Sequence, residues 1–176
     1  MFWHFSARIS SLTIPMENPL EFPPKLSKRV DLLERLYQNG VIIPCVENVW
    51  ISPEITIGSG TIIYPNCYLW GDENSSIGSD CEIGPSAFLR GKFRIGNRVK
   101  IGFNAEIVRS KIDDETKVPH FSHVGDAQIG KGGNIAAGVI FCNYDGKYKR
   151  QTILEDDVFV GSGVMLIPSK NATPLK

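Results

Sequence analysis

Residues 57–107 read IGSGTIIYPNCYLWGDENSSIGSDCEIGPSAFLRGKFRIGNRVKIGFNAEI. An aliphatic residue, often followed by glycine, recurs every six places: Ile57, Ile63 and Leu69, then Ile77, Ile83, Leu89, Ile95, Ile101 and Ile107 after a two-residue insertion. The series continues less regularly through Ile112, Val118, Val124, Ile129 and Ile135, breaks, and resumes at Leu154, Val160 and Leu166. Four places after the aliphatic residue comes a small or β-branched one: Thr61, Cys67, Cys81, Ala87, Val99, Ala105, Ser122, Val139, Val158 and Val164, with Phe93 and Lys111 as exceptions. Only two positions in six must be apolar or small. That pattern fits a triangular β-solenoid whose sides are short strands, with three steps to a coil of roughly 18 residues. A β-sandwich would instead alternate with period two and turn every 8–12 residues or so. The expected fold is therefore all-β, a left-handed parallel β-helix, with the glycine after each aliphatic residue easing a corner.

Working outward, Ser27 is placed to cap a short amphipathic helix, SKRVDLLERLYQNG, that ends at Asn39-Gly40. Val30, Leu33, Leu36 and Tyr37 form its apolar stripe. The proline-rich stretch before it reads as extended chain. The expected organisation is an extended segment over 1–26, a helix over 27–40, the solenoid over 41–170 and a tail over 171–176.

The 176 residues suit one domain, and 19 Lys+Arg against 19 Asp+Glu give zero formal net charge. That balance offers no broad electrostatic footprint for nucleic acid or an anionic membrane. No apolar run of about 18 residues predicts a transmembrane helix, and the N-terminus lacks a basic region before an unbroken apolar one, so the expected compartment is the cytoplasm. The cysteines show no CxxC pair, and neither a zinc site nor any other metal centre is expected. Cys45, Cys67 and Cys81 fall on inward places and read as core thiols.

Function in a solenoid collects where the repeat is interrupted. Thirteen places separate Phe141 from Leu154 where six would do, so CNYDGKYKRQT must project as a loop. His120 and His123 stand at outward places, where an imidazole with an ordinary pKa near 6.5 suits proton transfer at neutral pH.

Residues 120–162, HFSHVGDAQIGKGGNIAAGVIFCNYDGKYKRQTILEDDVFVGS, closely resemble the acetyltransferase half of the bacterial bifunctional N-acetylglucosamine-1-phosphate uridyltransferase/glucosamine-1-phosphate acetyltransferase family. Looser similarity extends over roughly 30–168, and the CNYDG segment is its most specific part. The resemblance implies a homotrimer with active sites between subunits and acetyl transfer from acetyl-CoA to the amine of an amino sugar phosphate such as glucosamine-1-phosphate. It implies His120 as general base, and a backbone N–H near Ala137 as partner for the developing oxyanion. It implies Arg90 and Lys149 on phosphate, with His123 and Asn134 also contacting the acceptor. Ala137, Asn143, Tyr144 and Ser162 would line the acetyl-CoA path, and Cys142 packs the loop rather than reacting.

Three departures qualify it. Val108 stands where the family carries a substrate-binding lysine, so Arg109 would have to replace that contact. His123 stands where the family has tyrosine. After Leu166 the hexapeptides stop, and residues before 27 cannot supply a nucleotide-binding α/β half, so uridyltransfer is not expected. An acyltransferase with another acceptor or donor, and a catalytically silent trimeric solenoid serving binding or assembly, are the alternatives.

Overall fold

The computed structural model describes residues 26–169 and 174–175; the N-terminal extended segment, His4 and most of the tail lie outside them. Leu26–Gln38 is a helix, and the chain beyond it winds into three parallel sheets, one of seven strands and two of six, in which each strand pairs with the equivalent strand one coil away. This is the expected left-handed β-helix.

The first face stacks Trp50–Ile51, Tyr68–Trp70, Phe88–Arg90, Glu106–Val108, His123–Gly125, Ile140–Phe141 and Met165–Leu166. The second runs from Thr56–Ile57 to Thr152–Leu154, and the third from Ile62–Ile63 to Phe159–Val160. Because every pairing is in register, the aliphatic residues form continuous columns: Ile51, Leu69, Leu89, Ile107 on the first face, and Ile57, Ile77, Ile95, Ile112, Ile129, Leu154 on the second. Apart from Leu154, which is partly buried at the end of its column, these columns and the small inward residues Cys67, Cys81, Ala87, Val99, Ala105 and Val139 are buried and make one narrow core. The inward hydroxyls are satisfied by the next coil: Thr61 donates to the Gly78 carbonyl (2.7 Å) and Thr116 to that of Gly130 (2.7 Å).

The glycines after the aliphatic residues serve a different purpose from the one expected. Left-handed φ falls mostly on the third residue after the aliphatic one, as at Asn66, Asp80, Arg98, Asn104 and Glu115. Gly102 illustrates what the glycines do. A Cβ there would lie 1.9 Å from the Pro119 carbonyl oxygen, in the backbone of the next coil. Glycine is needed because stacked corners touch backbone to backbone.

The coil length varies along the first face. Ile51 to Leu69 spans 18 residues and Leu69 to Leu89 spans 20, the extra two accommodated by a turn in which Asp72 accepts from the Asn74 N–H (2.9 Å). Ile107 to Val124 spans only 17. One residue is missing at the corner after Val108, so Ser110 takes the inward place and Lys111 stays exposed. The same shortening puts Ala127 inside rather than Gln128.

Some local expectations fail. The helix starts at Leu26, which places Ser27 inside its first turn. Leu32 and Leu36, four apart, face the core, whereas Val30 and Tyr37 are exposed. Cys45 is half-exposed, its thiol donating to Glu47 (3.4 Å), because a 3₁₀ turn at Val46–Asn48 interrupts the first coil. Val164 is exposed and Val158 only partly buried, since no further coil stacks on them among the described residues.

Gly102→Ala is expected to cost about 2–3 kcal/mol by forcing two coils apart. Gly161→Ala, where a Cβ meets nothing within 4 Å, should change stability by less than about 1 kcal/mol. Denaturant unfolding of the two variants distinguishes close approach from turn freedom as the reason for the glycines.

Candidate active site

The chain turns from the third face to the first through His120, Phe121 and Ser122. His120 ends the strand Lys117–His120, and Phe121 makes the corner at φ 21°. The buried Ser122 hydroxyl donates to the carbonyls of His120 (2.7 Å) and Ala136 (3.1 Å). That inward hydroxyl pins the segment to the next coil and leaves the His120 side chain in solvent, with no hydrogen bond among the described residues. Ala137 and Gly138 stack next along the same edge, and a Cβ on Gly138 would touch the Phe121 ring at 3.2 Å. One coil further are Ser162 and Gly163, whose N–H donates to the Ala137 carbonyl (2.9 Å). His120, Ala137 and Ser162 thus share one corner. Asn134, on the adjoining third face, stands in ladder with Lys117 and Phe159.

Across the first face lies a second group. His123 sits in ladder between Glu106 and Ile140, and Glu106 is in turn opposite Phe88. Glu106 takes a hydrogen bond from Arg90 Nε (2.8 Å) on one carboxylate oxygen and meets His123 Nδ1 (2.7 Å) on the other. Burial raises this carboxyl, but the hydrogen bonds and charges of Arg90 and His123 outweigh it and hold Glu106 below the usual carboxylate range.

At the far corner of that face, Arg109 and Asp126 occupy left-handed positions one coil apart. Arg109 binds Asp126 through two parallel hydrogen bonds of 2.7 and 2.8 Å, a fork that suits guanidinium and carboxylate. Asp126, only 3% exposed, also accepts from the Asn143 side-chain amide. Its burial raises the carboxyl, while Arg109, Asn143 and the Lys149 charge bring it below its ordinary value. Arg109 is therefore engaged by Asp126, and Val108 beside it is buried.

The loop after Phe141 is an ordered projection. Asp145 accepts from the N–H groups of Lys147 (2.9 Å) and Tyr148 (2.6 Å), and Arg150 N–H returns to the Asn143 carbonyl (2.8 Å). Tyr144 and Lys149 are exposed on it. Lys149–Arg150 pairs antiparallel with Pro174–Leu175 of the tail. Cys142 is half-buried, with its N–H on the Leu166 carbonyl (2.8 Å).

The expected residues therefore divide within one chain. His120, Ala137 and Ser162, with Asn134 nearby, lie on one side of the first face; Asn143, Tyr144 and Lys149 lie at its other corner. Arg90 and His123 stand on the face itself. Sequence reasoning missed Glu106 and left Asp126 unassigned inside GDAQIG. Both act by pairing with a residue a coil away, a signal visible only once the register is known. Among the described residues no group of three His, Cys, Asp or Glu is arranged to hold a metal ion, and no helix is long and apolar enough to cross a membrane.

The columns, the shortened corners and this outward polar set define a hexapeptide-repeat protein of the left-handed β-helix class. By sequence the chain is similar to part of the bifunctional GlmU proteins. It is 41% identical over 167 residues to the bifunctional protein GlmU of Carboxydothermus hydrogenoformans, covering 76% of this chain and 37% of that protein. It is 42% identical over 151 residues to that of Thermodesulfovibrio yellowstonii, covering 68% and 33%. The chain thus spans little more than a third of the relatives it matches. No protein-family model matches it. A solved mutant of perosamine N-acetyltransferase from Caulobacter crescentus, in complex with CoA and GDP-perosamine, aligns with TM-score 0.40 and 15% identity over 85% of this chain and 65% of that one.

Asp126→Asn is expected to free Arg109 and loosen the loop, costing about 1–2 kcal/mol given that Arg109 is partly solvated. Glu106 and Asp126 both have depressed folded values. Their contribution is complete above the unfolded carboxylate range, about pH 4, and is lost as pH falls through the folded values. The variant should therefore lose less stability on acidification than the unaltered protein, a difference read from denaturant midpoints along a pH series.

Proposed function

We propose that the chain is an acetyl-CoA-dependent N-acetyltransferase acting on the amine of an amino sugar phosphate of the glucosamine-1-phosphate kind, and that it works as a homotrimer. The observation that carries this reading is the corner at His120: a solvent-facing imidazole on a segment pinned through Ser122, with Ala137 and Ser162 at the same corner of the following coils. The similarity to bifunctional GlmU proteins across that segment supports it.

In this reading the amine nitrogen attacks the thioester carbonyl carbon while His120 Nε2 or Nδ1 takes its proton. The C–S bond then breaks, releasing CoA as the thiolate, which is protonated in turn. A backbone N–H near Ala137 would face the oxyanion, a contact that strengthens as charge develops. Arg90 and Lys149 would hold the phosphate, and His123 and Asn134 the sugar end. Asn143, Tyr144, Ala137 and Ser162 would guide the acetyl-CoA. Because these sets lie at opposite sides of one face, a trimer that sets one chain's His120 corner beside its neighbour's loop would bring them into a single cleft. Val108 and the committed Arg109 favour an acceptor less dependent on a third cation, which keeps a different amine acceptor as the second reading.

Mixing the protein with acetyl-CoA and glucosamine-1-phosphate should release free thiol, and His120→Ala should slow this by about 10²–10⁴-fold. Turnover unchanged in His120→Ala would remove His120 as the base. Absence of both turnover and binding of any CoA ester would favour the silent solenoid. The mass in solution at micromolar protein should be that of three chains; a monomer would overturn the intersubunit cleft.

A further inference from the structure

His123 differs from His120 in being tied into a chain of charges. Its Nδ1 is 2.7 Å from one oxygen of Glu106, whose other oxygen holds Arg90 Nε at 2.8 Å. That contact orients the ring. A Cβ placed on Gly125 would fall 2.7 Å from His123 Nε2 and 2.8 Å from the Asn143 amide nitrogen, so the free ring nitrogen and the loop amide converge above Gly125. Glycine at 125 is what lets the imidazole lie there, over the strand position next to the buried Val108. Arg90 uses only Nε in its hydrogen bond, leaving its terminal nitrogens available on the same face.

The formal charges facing His123 can be assigned strand by strand. From Phe88–Arg90 comes Arg90, and from Glu106–Val108 comes Glu106; they cancel. From the corner come Arg109 and Asp126, which also cancel. From the loop comes Lys149, whose charge acts on Asp126, while Asn143 and Ile140 are neutral. With both of these pairs neutralised, protonating His123 adds one positive charge to the face. A phosphate monoester carries close to two negative charges at neutral pH.

We propose that His123, held by Glu106, sets the charge of the acceptor site. As imidazolium it donates from Nε2 and, with Arg90 and Lys149, matches a phosphate dianion. As neutral imidazole, with its proton on Nδ1 toward Glu106, it presents a lone pair at Nε2 and leaves the site one charge short. Glu106 is the positioning residue, since it holds His123 and Arg90 together. The proposal rests on the reading that the acceptor's phosphate lies at Arg90, and it assigns His123 a charge-selecting role that a tyrosine there cannot perform.

The test uses the full chain and sulfate, which stays dianionic from about pH 5 to 9, the range that brackets an ordinary imidazole. The ring-proton resonances of the three histidines are followed by NMR, with His123 assigned by its absence in His123→Gln. Saturating sulfate should move the His123 titration midpoint upward. In Glu106→Gln both the midpoint and the sulfate effect should fall. A His123 midpoint indifferent to sulfate in the unaltered protein overturns the proposal, and so does a Glu106→Gln variant that responds as the parent does.

Steady-state rates supply a second readout. Above neutral pH, KM for glucosamine-1-phosphate should climb by up to about tenfold per pH unit more steeply in the parent than in His123→Tyr. Equal slopes overturn the charge-selecting role. Absence of turnover in the parent instead defeats the acetyl-transfer reading, while the sulfate titration still decides the role of His123.

Discussion

Backbone lies directly on backbone where one coil meets the next, and the rest of the molecule follows from that contact. At Gly102 the clearance over the Pro119 carbonyl excludes even a methyl group, so corners at that level accept only glycine. The parallel ladders satisfy the strand amides, and inward hydroxyls such as Thr61 and Thr116 close the carbonyls the corners leave over. A core this narrow has room for one aliphatic and one small side chain per step. Most other side chains are left outside, stacked above and below their counterparts.

That division explains what was legible in the sequence. The six-residue step is readable because the core constrains just two places in six, and Cys67 and Cys81 could be assigned to it by counting alone. Counting fails where the step shortens to five. Lys111 looked like an exception to the small position, whereas the structure gives that place to Ser110, whose hydroxyl bonds the Val108 and Val124 carbonyls and accepts from Ala127 N–H. Cys45 and the helix stripe were misread for a related reason. The 3₁₀ turn before Val49 breaks the period, and the helix docks through Leu32 and Leu36 at an angle that no periodicity specifies.

The same shortened corners build the polar set of the candidate site. Losing one residue after Val108 and another after Val124 places Arg109 and Asp126 in left-handed turns directly above one another. Their fork anchors Asn143 and with it the base of the projecting loop. A sequence shows an arginine and an aspartate seventeen places apart, and neither local propensity nor motif spacing marks them as partners. The loop thereby gains a fixed attachment.

The two histidines of HFSH show how much a corner can separate. His120 closes a strand of the third face and His123 opens one of the first, with Phe121 turning the chain between them. Three residues apart in sequence, they belong to different sheets and meet different neighbours. His120 is held only through its own carbonyl, by Ser122, which leaves its ring exposed. His123 is held through its ring, by a carboxylate that also holds Arg90. One corner thus leaves one imidazole exposed, with no hydrogen bond among the described residues, and ties the other to a carboxylate.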